Sequence, residues 1–375
     1  MNNKTLNFID LFSGAGGLSN GLEQAGLKCL LGIDMDKNAI DTFKANHKHA
    51  NAYCGSITEV TEKKLIELTK GQTIHAVVGG PPCQGFSTVG IGDPKDQRNL
   101  LFREFIRVVK ILHPHFIIIE NVTGLLAKKN EKTIIAIFKL FSDMGYNLDV
   151  KVMSAEDYGV PERRRRTIFI GSRINNSIDF PLPLESAPLT VGQALKNLKT
   201  KNGKIYNHDV DKAEVKSELD HKRISHIPEG KGIRYQQDEI AYLPKKLFLG
   251  INWNTILENR LRQTKYQRLD RKKPSPTIMT HRHNYFHPTE NRYLTQREAA
   301  ALQSFPNDFE FSGPLSAQWR QIGNAVPPLL GKALGKTLLE MFRTQDKKSK
   351  LVIKKINQSN TVRKSAFTYK TKTTK

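Results

Sequence analysis

From residue 6 onward the chain alternates short apolar runs with longer amphipathic stretches. LNFIDLF (6–12) is apolar and ends in the small-residue stretch SGAGG, after which Ser19 to Ala25 has helical spacing. CLLGID (29–34) reads as a strand, DKNAIDTFKAN (36–46) as a helix and HAVVGG (75–80) as a third strand. LLFREFIRVVKIL (100–112) places apolar residues at i, i+3, i+4 and i+7, the pattern of an amphipathic helix. FIIIENV (116–122) is a continuous β-branched run, as expected of a strand buried on both faces. KTIIAIFKLFSDMG (132–145) predicts a helix that stops at Gly145, and NLDVKVMSA and RTIFIGS predict two more strands. Strand–helix alternation of this kind predicts an α/β fold with a doubly wound, mostly parallel sheet.

After about residue 175 the rhythm breaks. PLPLESAPLT is proline-rich and reads as a boundary, and Val191 to Lys273 is polar, basic and irregular, with no internal repeat. An ordered block then runs from RKKPSPTIMT to QIGNAVPPLLGKALGKTLLEMF and ends in a helix. The expected organisation is an α/β domain over 1–178, an inserted domain over 179–312, a C-terminal helix returning to the first domain over 313–345, and a basic tail over 346–375. A chain of 375 residues has ample length for that arrangement. The tail, rich in Lys, Ser, Thr and Asn, reads as disordered or loosely docked.

Composition narrows the function. A formal net charge of +23 points to a polyanionic partner, nucleic acid or an acidic membrane surface. No apolar run approaches the roughly 20 residues that cross a bilayer, and MNNKTLNFID lacks the features of a signal peptide. A soluble, cytoplasmic protein is expected. Three cysteines, Cys29, Cys54 and Cys83, are too few and too scattered for a disulfide framework or a zinc site, so no metal is expected. Cys29 and Cys54 read as structural residues.

Cys83 stands apart. It sits in GGPPCQGFS (79–87), directly after the HAVVGG strand. In a doubly wound sheet, ligands bind at the carboxyl ends of the strands, so the thiol is displayed at the active edge. A thiol is a few per cent thiolate at neutral pH and is intrinsically a strong nucleophile. DLFSGAGG (10–17) places glycines between the first strand and the first helix, where a ligand can approach backbone N–H groups. The nicotinamide-dinucleotide fingerprint asks for a third glycine where this chain has Ser19, which disfavours an oxidoreductase. Asp34 lies about 20 residues beyond the glycines, where a carboxylate holds ribose hydroxyls. Glu120, at the end of FIIIENV, is expected to be partly desolvated, a setting that suits a carboxyl to share a proton or to form an ion pair. In PERRRRTIFIG (161–171), strand alternation pairs Arg164 with Arg166 and Arg163 with Arg165. One pair would face the sheet edge and the other solvent or phosphate.

The succession DLFSGAGGLS, a strand-end acid, GGPPCQGFS, ENV, V-P-x-x-R-x-R (Val160 to Arg166), REAAALQSFPNDF and QIGNAVPP resembles the bacterial cytosine-C5 DNA methyltransferases of restriction–modification systems. The resemblance covers roughly residues 6–172 and 271–343. It implies a Rossmann-like catalytic domain with an inserted target-recognition domain, S-adenosyl-L-methionine as cofactor, and duplex DNA as substrate with the target cytosine flipped out. By the same resemblance Cys83 attacks C6, Glu120 engages N3 and the exocyclic amine, and Arg164 and Arg166 hold the pyrimidine and its carboxylate partner. The implied cofactor pocket comprises Phe12, Ser13, Gly14, Ala15, Gly16, Gly17, Leu18, Asp34, Met35, Ser56, Ile57, Pro81, Leu101, Asn324 and Ala325.

Four positions depart from the usual family residue: Asp34 for Glu, Ser56 for Asp, Glu162 for Gln and Ala301 for Arg. Target sequence would be read from the insert, where QTKYQRLDRKK and KRISH are candidate contact stretches. The family expectation also includes a monomer, nucleoid association and a separately acting cognate restriction endonuclease. Two other readings on the same scaffold are an RNA cytosine methyltransferase and an inactive DNA-binding regulator. The first is disfavoured by an insert without cysteine, the second by intact Cys83, Glu120 and Arg164.

Overall fold

The structure, a computed structural model, describes residues 5–82, 97–256, 261, 266–283 and 285–344. Cys83 with the segment that follows it, and the basic tail, lie outside the described residues. The chain divides into two compact units. Unit 1 comprises Met1–Tyr158, Arg165–Leu184 and Val326–Lys375, and unit 2 comprises Gly159–Arg164 and Glu185–Ala325.

Unit 1 is built on seven strands: β1 (Asn7–Leu11), β2 (Lys28–Asp34), β3 (Asn51–Cys54), β4 (Ala76–Gly79), β5 (Phe116–Val122), β6 (Asn147–Ser154) and β8 (Arg165–Ser172). The two-residue β7 (Glu162–Arg163) belongs to unit 2. The sheet order is β3-β2-β1-β4-β5-β8-β6. β1 to β5 pair in parallel, and β8 runs antiparallel between β5 and β6. The order reverses at β1, which pairs β2 on one side and β4 on the other, the switch point at which such sheets bind ligands. The register Leu11↔Ile33, Leu11↔Gly79, Asp34↔Cys54 and Gly79↔Ile119 brings the carboxyl ends of all five parallel strands to one edge.

The apolar runs become the middle of the sheet because both of their faces are covered. Phe116, Ile117, Ile118 and Ile119 of β5 are fully buried. Helices α1 (Gly17–Ala25), α2 (Lys37–Asn46), α4 (Gln97–Leu112) and α5 (Glu131–Asp143) fall where apolar spacing places them. The edge strand β3 and the helix after it, α3 (Glu62–Leu68), carry no such signal: no residue of Asn51–Cys54 is buried, and of α3 only Leu65 is. Cys29 is buried in β2 as expected, whereas Cys54, expected to be structural, is exposed at the end of that edge strand.

Unit 2 has little regular structure. Its helices are α6 (Val191–Leu195), α7 (Glu218–Ser225), α8 (Gln236–Tyr242), α9 (Gln296–Leu302) and α10 (Leu315–Asn324), and its small sheet pairs β7 with β9 (Ser275–Pro276). Ile224, Leu243, Trp253, Tyr266 and Phe286 form part of its core. Arg268 is buried there and donates to the carbonyls of Ile224, Ile227, His287 and Glu290 and to Asn291 Oδ1. Arg292 makes a two-pronged pair with Glu298, whose carboxylate also accepts from Thr295 N to close the capping box of α9. Arg297 donates to Tyr206, Pro306 and Phe309 carbonyls. REAAALQSFPNDF is therefore a structural knot.

The observed boundaries shift from those expected. The break near 178 falls at Leu184/Glu185, and unit 2 runs on to Ala325 because α10 packs within it against α9. The helix that returns to unit 1 is α11 (Pro328–Arg343), which lies along α1. Small residues set that packing. A Cβ on Gly21 would stand 2.1 Å from Pro328 O and 2.7 Å from Gly331 Cα, and one on Gly335 would stand 2.7 Å from Ala25 Cβ. Gly21→Ala gains about 1 kcal/mol of helix propensity but drives a methyl into backbone, an overpacking cost of about 1–3 kcal/mol or more. The expected outcome is net loss of stability in urea unfolding. Gly124→Ala, where a Cβ meets nothing within 4 Å, is expected to be near neutral.

Candidate active site

The glycine-rich turn leaves β1 at the switch point. Phe12, Gly14 and Gly16 all have positive φ (62°, 53° and 89°), a conformation cheap only for glycine. Ser13 N donates to Ile33 O and Gly16 N to Ser13 O, which close the turn before α1 begins at Gly17. Ala15 and Leu18 point into the core, while a Cβ on Gly14 would meet nothing within 4 Å, so the turn is open at that position.

Asp34 ends β2 beside this turn. Its Oδ2 accepts from Gly14 N at 2.8 Å and its Oδ1 from Asp36 N at 2.9 Å. Burial pushes its carboxyl above the ordinary value, and the backbone N–H groups of Asp36, Gly14 and Met35 pull it back. A carboxylate offers about four acceptor directions, and the one these N–H groups leave suits a ribose hydroxyl. Met35, next in the chain, is 73 % exposed, an apolar surface on which a flat ring can pack. Ser56 follows β3. It accepts from Thr58 N and shares a hydrogen bond with Thr58 Oγ1 at 2.7 Å, so its hydroxyl is already engaged in capping the short turn Ile57–Glu59. Ile57 is buried and its carbonyl accepts from Arg107 of α4, the helix that also carries Leu101.

At the ends of β4 and β5 the second cluster forms. Glu120 Oε1 lies 2.8 Å from Arg166 Nε, with both side chains mostly buried. The register explains the pairing. Glu120 stands opposite Ile168 and Arg166 opposite Val122, so the two are diagonal neighbours on one face of an antiparallel pair. A Cβ on Gly80 would lie 3.1 Å from Glu120 Oε2, so glycine there leaves the carboxylate its room. Asn121, which the motif contains without an assigned role, donates from Nδ2 to Pro81 O at 2.9 Å and ties the end of β5 to the proline loop.

Unit 1 thus brings Phe12 to Leu18, Asp34, Met35, Ser56, Ile57, Pro81, Leu101, Glu120 and Arg166 to the strand-end side of one sheet. Arg164, Asn324 and Ala325 belong to unit 2. Arg164 is fully buried there, donating to Gly323 O at 2.8 Å, with its guanidinium 3.7 Å from Glu162. Glu162 in turn accepts from Ile278 N at 2.6 Å. Alternation was expected to set Arg164 beside Arg166. Instead the chain leaves strand geometry at residue 164, between β7 and β8, and the two side chains are held by different partners. Arg163 and Arg165 are both exposed. Asn324 ends α10 with an exposed side chain, and Ala325 caps that helix. Within the candidate DNA-contact stretches, Arg268 and Arg223 are structural, since Arg223 donates to the Leu247 and Phe248 carbonyls. Among the described residues, no group of three His, Cys, Asp or Glu could hold a metal, and no helix is long and apolar enough to cross a membrane.

Comparison with known proteins decides the family. The profile of the C-5 cytosine-specific DNA methylases matches residues 6–340. The chain belongs to that family. The methyltransferase is 38 % identical to the Type II methyltransferase M1.HphI of Haemophilus parahaemolyticus, over 90 % of this chain and 87 % of the relative. It is 32 % identical to the Type II methyltransferase M.DdeI of Desulfomicrobium norvegicum, over 95 % and 92 %. A crystal structure described as a DNA modification methyltransferase encoded within an E. coli prophage superposes with a TM-score of 0.66 at 30 % identity, covering 90 % of this chain and all of that one. The S. pombe Dnmt2 structure shares the fold, with a TM-score of 0.56 at 19 % identity over 90 % of this chain and 99 % of that one. Among these readings, that of a DNA cytosine methyltransferase holds.

One buried group in the methyltransferase carried no sequence signal beyond its place in DLFSGAGG. Asp10 is 2 % exposed, and its Oδ2 accepts from Ser19 Oγ at 2.6 Å, joining β1 to the first turn of α1 across the glycine turn. Burial, with the nearby charge of Asp34, pushes its carboxyl up to about 7. The native state therefore keeps a proton that the unfolded chain has released, and this group's contribution to stability falls as pH rises from the ordinary 3.8 to about 7. Asp10→Asn keeps an acceptor for Ser19 and carries no charge. Its stability relative to wild type is expected to improve by about 2 kcal/mol between pH 5 and pH 8 in urea unfolding. A difference that stays constant with pH would refute the buried, proton-retaining carboxyl.

Proposed function

We propose that the methyltransferase moves a methyl group from S-adenosyl-L-methionine to C5 of a cytosine flipped out of duplex DNA, through an adduct between Cys83 and C6. The observation that carries this reading is the Glu120–Arg166 pair at the carboxyl edge, beside Gly80 and the proline loop that leads into Cys83. The open turn at Gly14, the remaining acceptor direction of Asp34 and the exposed Met35 fit an adenosine-bearing cofactor. When bound, that cofactor supplies an electrophilic methyl group on a sulfonium sulfur.

Extrusion of the base costs a few kcal/mol and exposes C6 to the thiolate. The thiolate pair forms the S–C6 bond, the C5–C6 π pair becomes a C4–C5 π bond, and the C4–N3 π pair moves onto N3. Glu120, oriented by Arg166, accepts from the exocyclic amine and, as the acid, gives its proton to N3, neutralising the charge that builds there, and takes the proton back as the ring is restored. C5, enamine-like in that adduct, would accept the electrophilic methyl group that S-adenosylmethionine, held by the Phe12–Leu18 turn and Asp34, would supply. Loss of the C5 proton to a base and departure of the Cys83 thiolate restore the ring and the enzyme. Arg166 is the arginine suited to hold the carboxylate. Arg164 we read as a positioning residue that fixes Gly323 and the Asn324–Ala325 segment after it. Unit 2 reads the target sequence, and the enzyme acts in the bacterial cytoplasm on nucleoid DNA, protecting it from a cognate endonuclease.

Methylation-aware sequencing of DNA from a host expressing the protein is expected to show C5-methylcytosine at one recurrent sequence; unmodified DNA would refute the assignment. Cys83→Ser is expected to abolish methyl transfer while S-adenosylmethionine affinity stays within about threefold, and Glu120→Gln to lower turnover by about 10²-fold or more. Methyl transfer surviving in the serine variant would rule out the covalent route.

A further inference from the structure

Beneath the glycine-rich turn lie two rings that the chemistry above does not use. His47 caps the C-terminus of α2, its N–H donating to Phe43 O, and its ring stacks on Phe43 with centroids 4.2 Å apart. Phe43 covers Gly32 of β2, where a Cβ would stand 2.4 Å from its ring. On the other side, a Cβ on Gly16 would stand 2.3 Å from His47 Nε2 and 2.8 Å from Phe43 Cδ2. The turn thus rests on imidazole and phenyl, which rest on the sheet. No atom can be added at either glycine without displacing a ring.

The imidazole is held in plane by α1, the helix that the turn begins. His47 Nδ1 lies 2.6 Å from Glu23 Oε2, and His47 is 2 % exposed. A carboxylate only accepts, so the pair places the proton on Nδ1 and fixes the ring's tautomer and rotation. An apolar side chain of similar volume would fill the space without that orientation. The height of the turn above the sheet therefore follows from the ring plane, and the ring plane follows from Glu23.

We propose that Glu23 and His47 form a positioning pair for the cofactor: the imidazole, oriented by Glu23, supports Gly16 and sets where the open face of the turn meets S-adenosylmethionine. This rests on the reading of that turn as the cofactor site. Neither side chain touches the reacting atoms, so their removal acts on cofactor affinity and leaves the chemical step alone.

The test is calorimetric titration of S-adenosylmethionine into purified full-length protein, with turnover at saturating cofactor and the KM for DNA measured beside it. His47→Ala is expected to weaken cofactor binding by about tenfold or more, and Glu23→Ala by about three- to tenfold. Glu23→Gln is expected to stay within about twofold of wild type, because the amide oxygen accepts the same hydrogen bond. Turnover and the KM for DNA are expected to change less than twofold throughout. Should His47→Ala not fold, the Glu23 series decides, since that side chain is partly exposed. Equal affinities for Glu23→Ala, Glu23→Gln and wild type would overturn the proposal. So would losses in turnover and in DNA KM as large as the loss of cofactor affinity. A wild-type chain that binds no S-adenosylmethionine would overturn the reading of the site itself, and the pair's role with it.

Discussion

The hydrogen bond from Gly14 N to the Asp34 carboxylate is the constraint on which the site depends. Three of the five residues from Phe12 to Gly16 have positive φ, and Phe12 has no glycine's freedom to be there. A backbone of that shape holds only where its surroundings over-determine it. Asp34 fixes it from β2, Asp10 through Ser19 from β1, and the His47 ring from α2. The shorter acid at position 34, where the resemblance implies Glu, serves the turn. One oxygen holds the turn, and the other accepts from Asp36 N.

Unit 1 was legible in the sequence because its elements are buried by their own apolar faces. The run Phe116–Ile119, the i, i+3, i+4 spacing of α4 and the small residues after β1 each have one physical outcome. β3 and α3 escaped because an edge strand with no buried residue has no hydrophobic pattern to show. The order of motifs carried the site, yet it gave no sign of Asp10 or His47. A buried aspartate inside a glycine-rich motif reads as part of the ligand turn, and a histidine at a helix C-terminus reads as surface until Gly16 is seen to lie on its ring.

Unit 2 was illegible for the opposite reason. Much of it is held by side chains that bond to backbone carbonyls, and such bonds leave no periodicity. Arg268 alone joins the carbonyls of four residues spread from Ile224 to Glu290, Arg223 and Arg297 bridge other loops, and Arg292 pairs with Glu290 and Glu298. Arg223 and Arg268 lie in the stretches that read as candidate DNA contacts. Their internal partners separate them from that reading: an arginine with its donors committed inside has none to offer DNA.

Topology also explains the arginine run. In the parallel part of the sheet every strand finishes at one edge, so a strand's first residues reach that edge only where the strand runs antiparallel to the others. β8 is that strand, antiparallel to β5, and Arg165 and Arg166 are its first residues. The preceding segment, Gly159–Arg164, is part of unit 2, where Arg164 is held by Gly323 O and stands beside Glu162. One short stretch of chain therefore carries an arginine committed to each unit. Charge alone does not distinguish four consecutive arginines. Strand direction does: it gives Arg166 to Glu120, leaves Arg163 and Arg165 exposed, and makes Arg164 an internal tie.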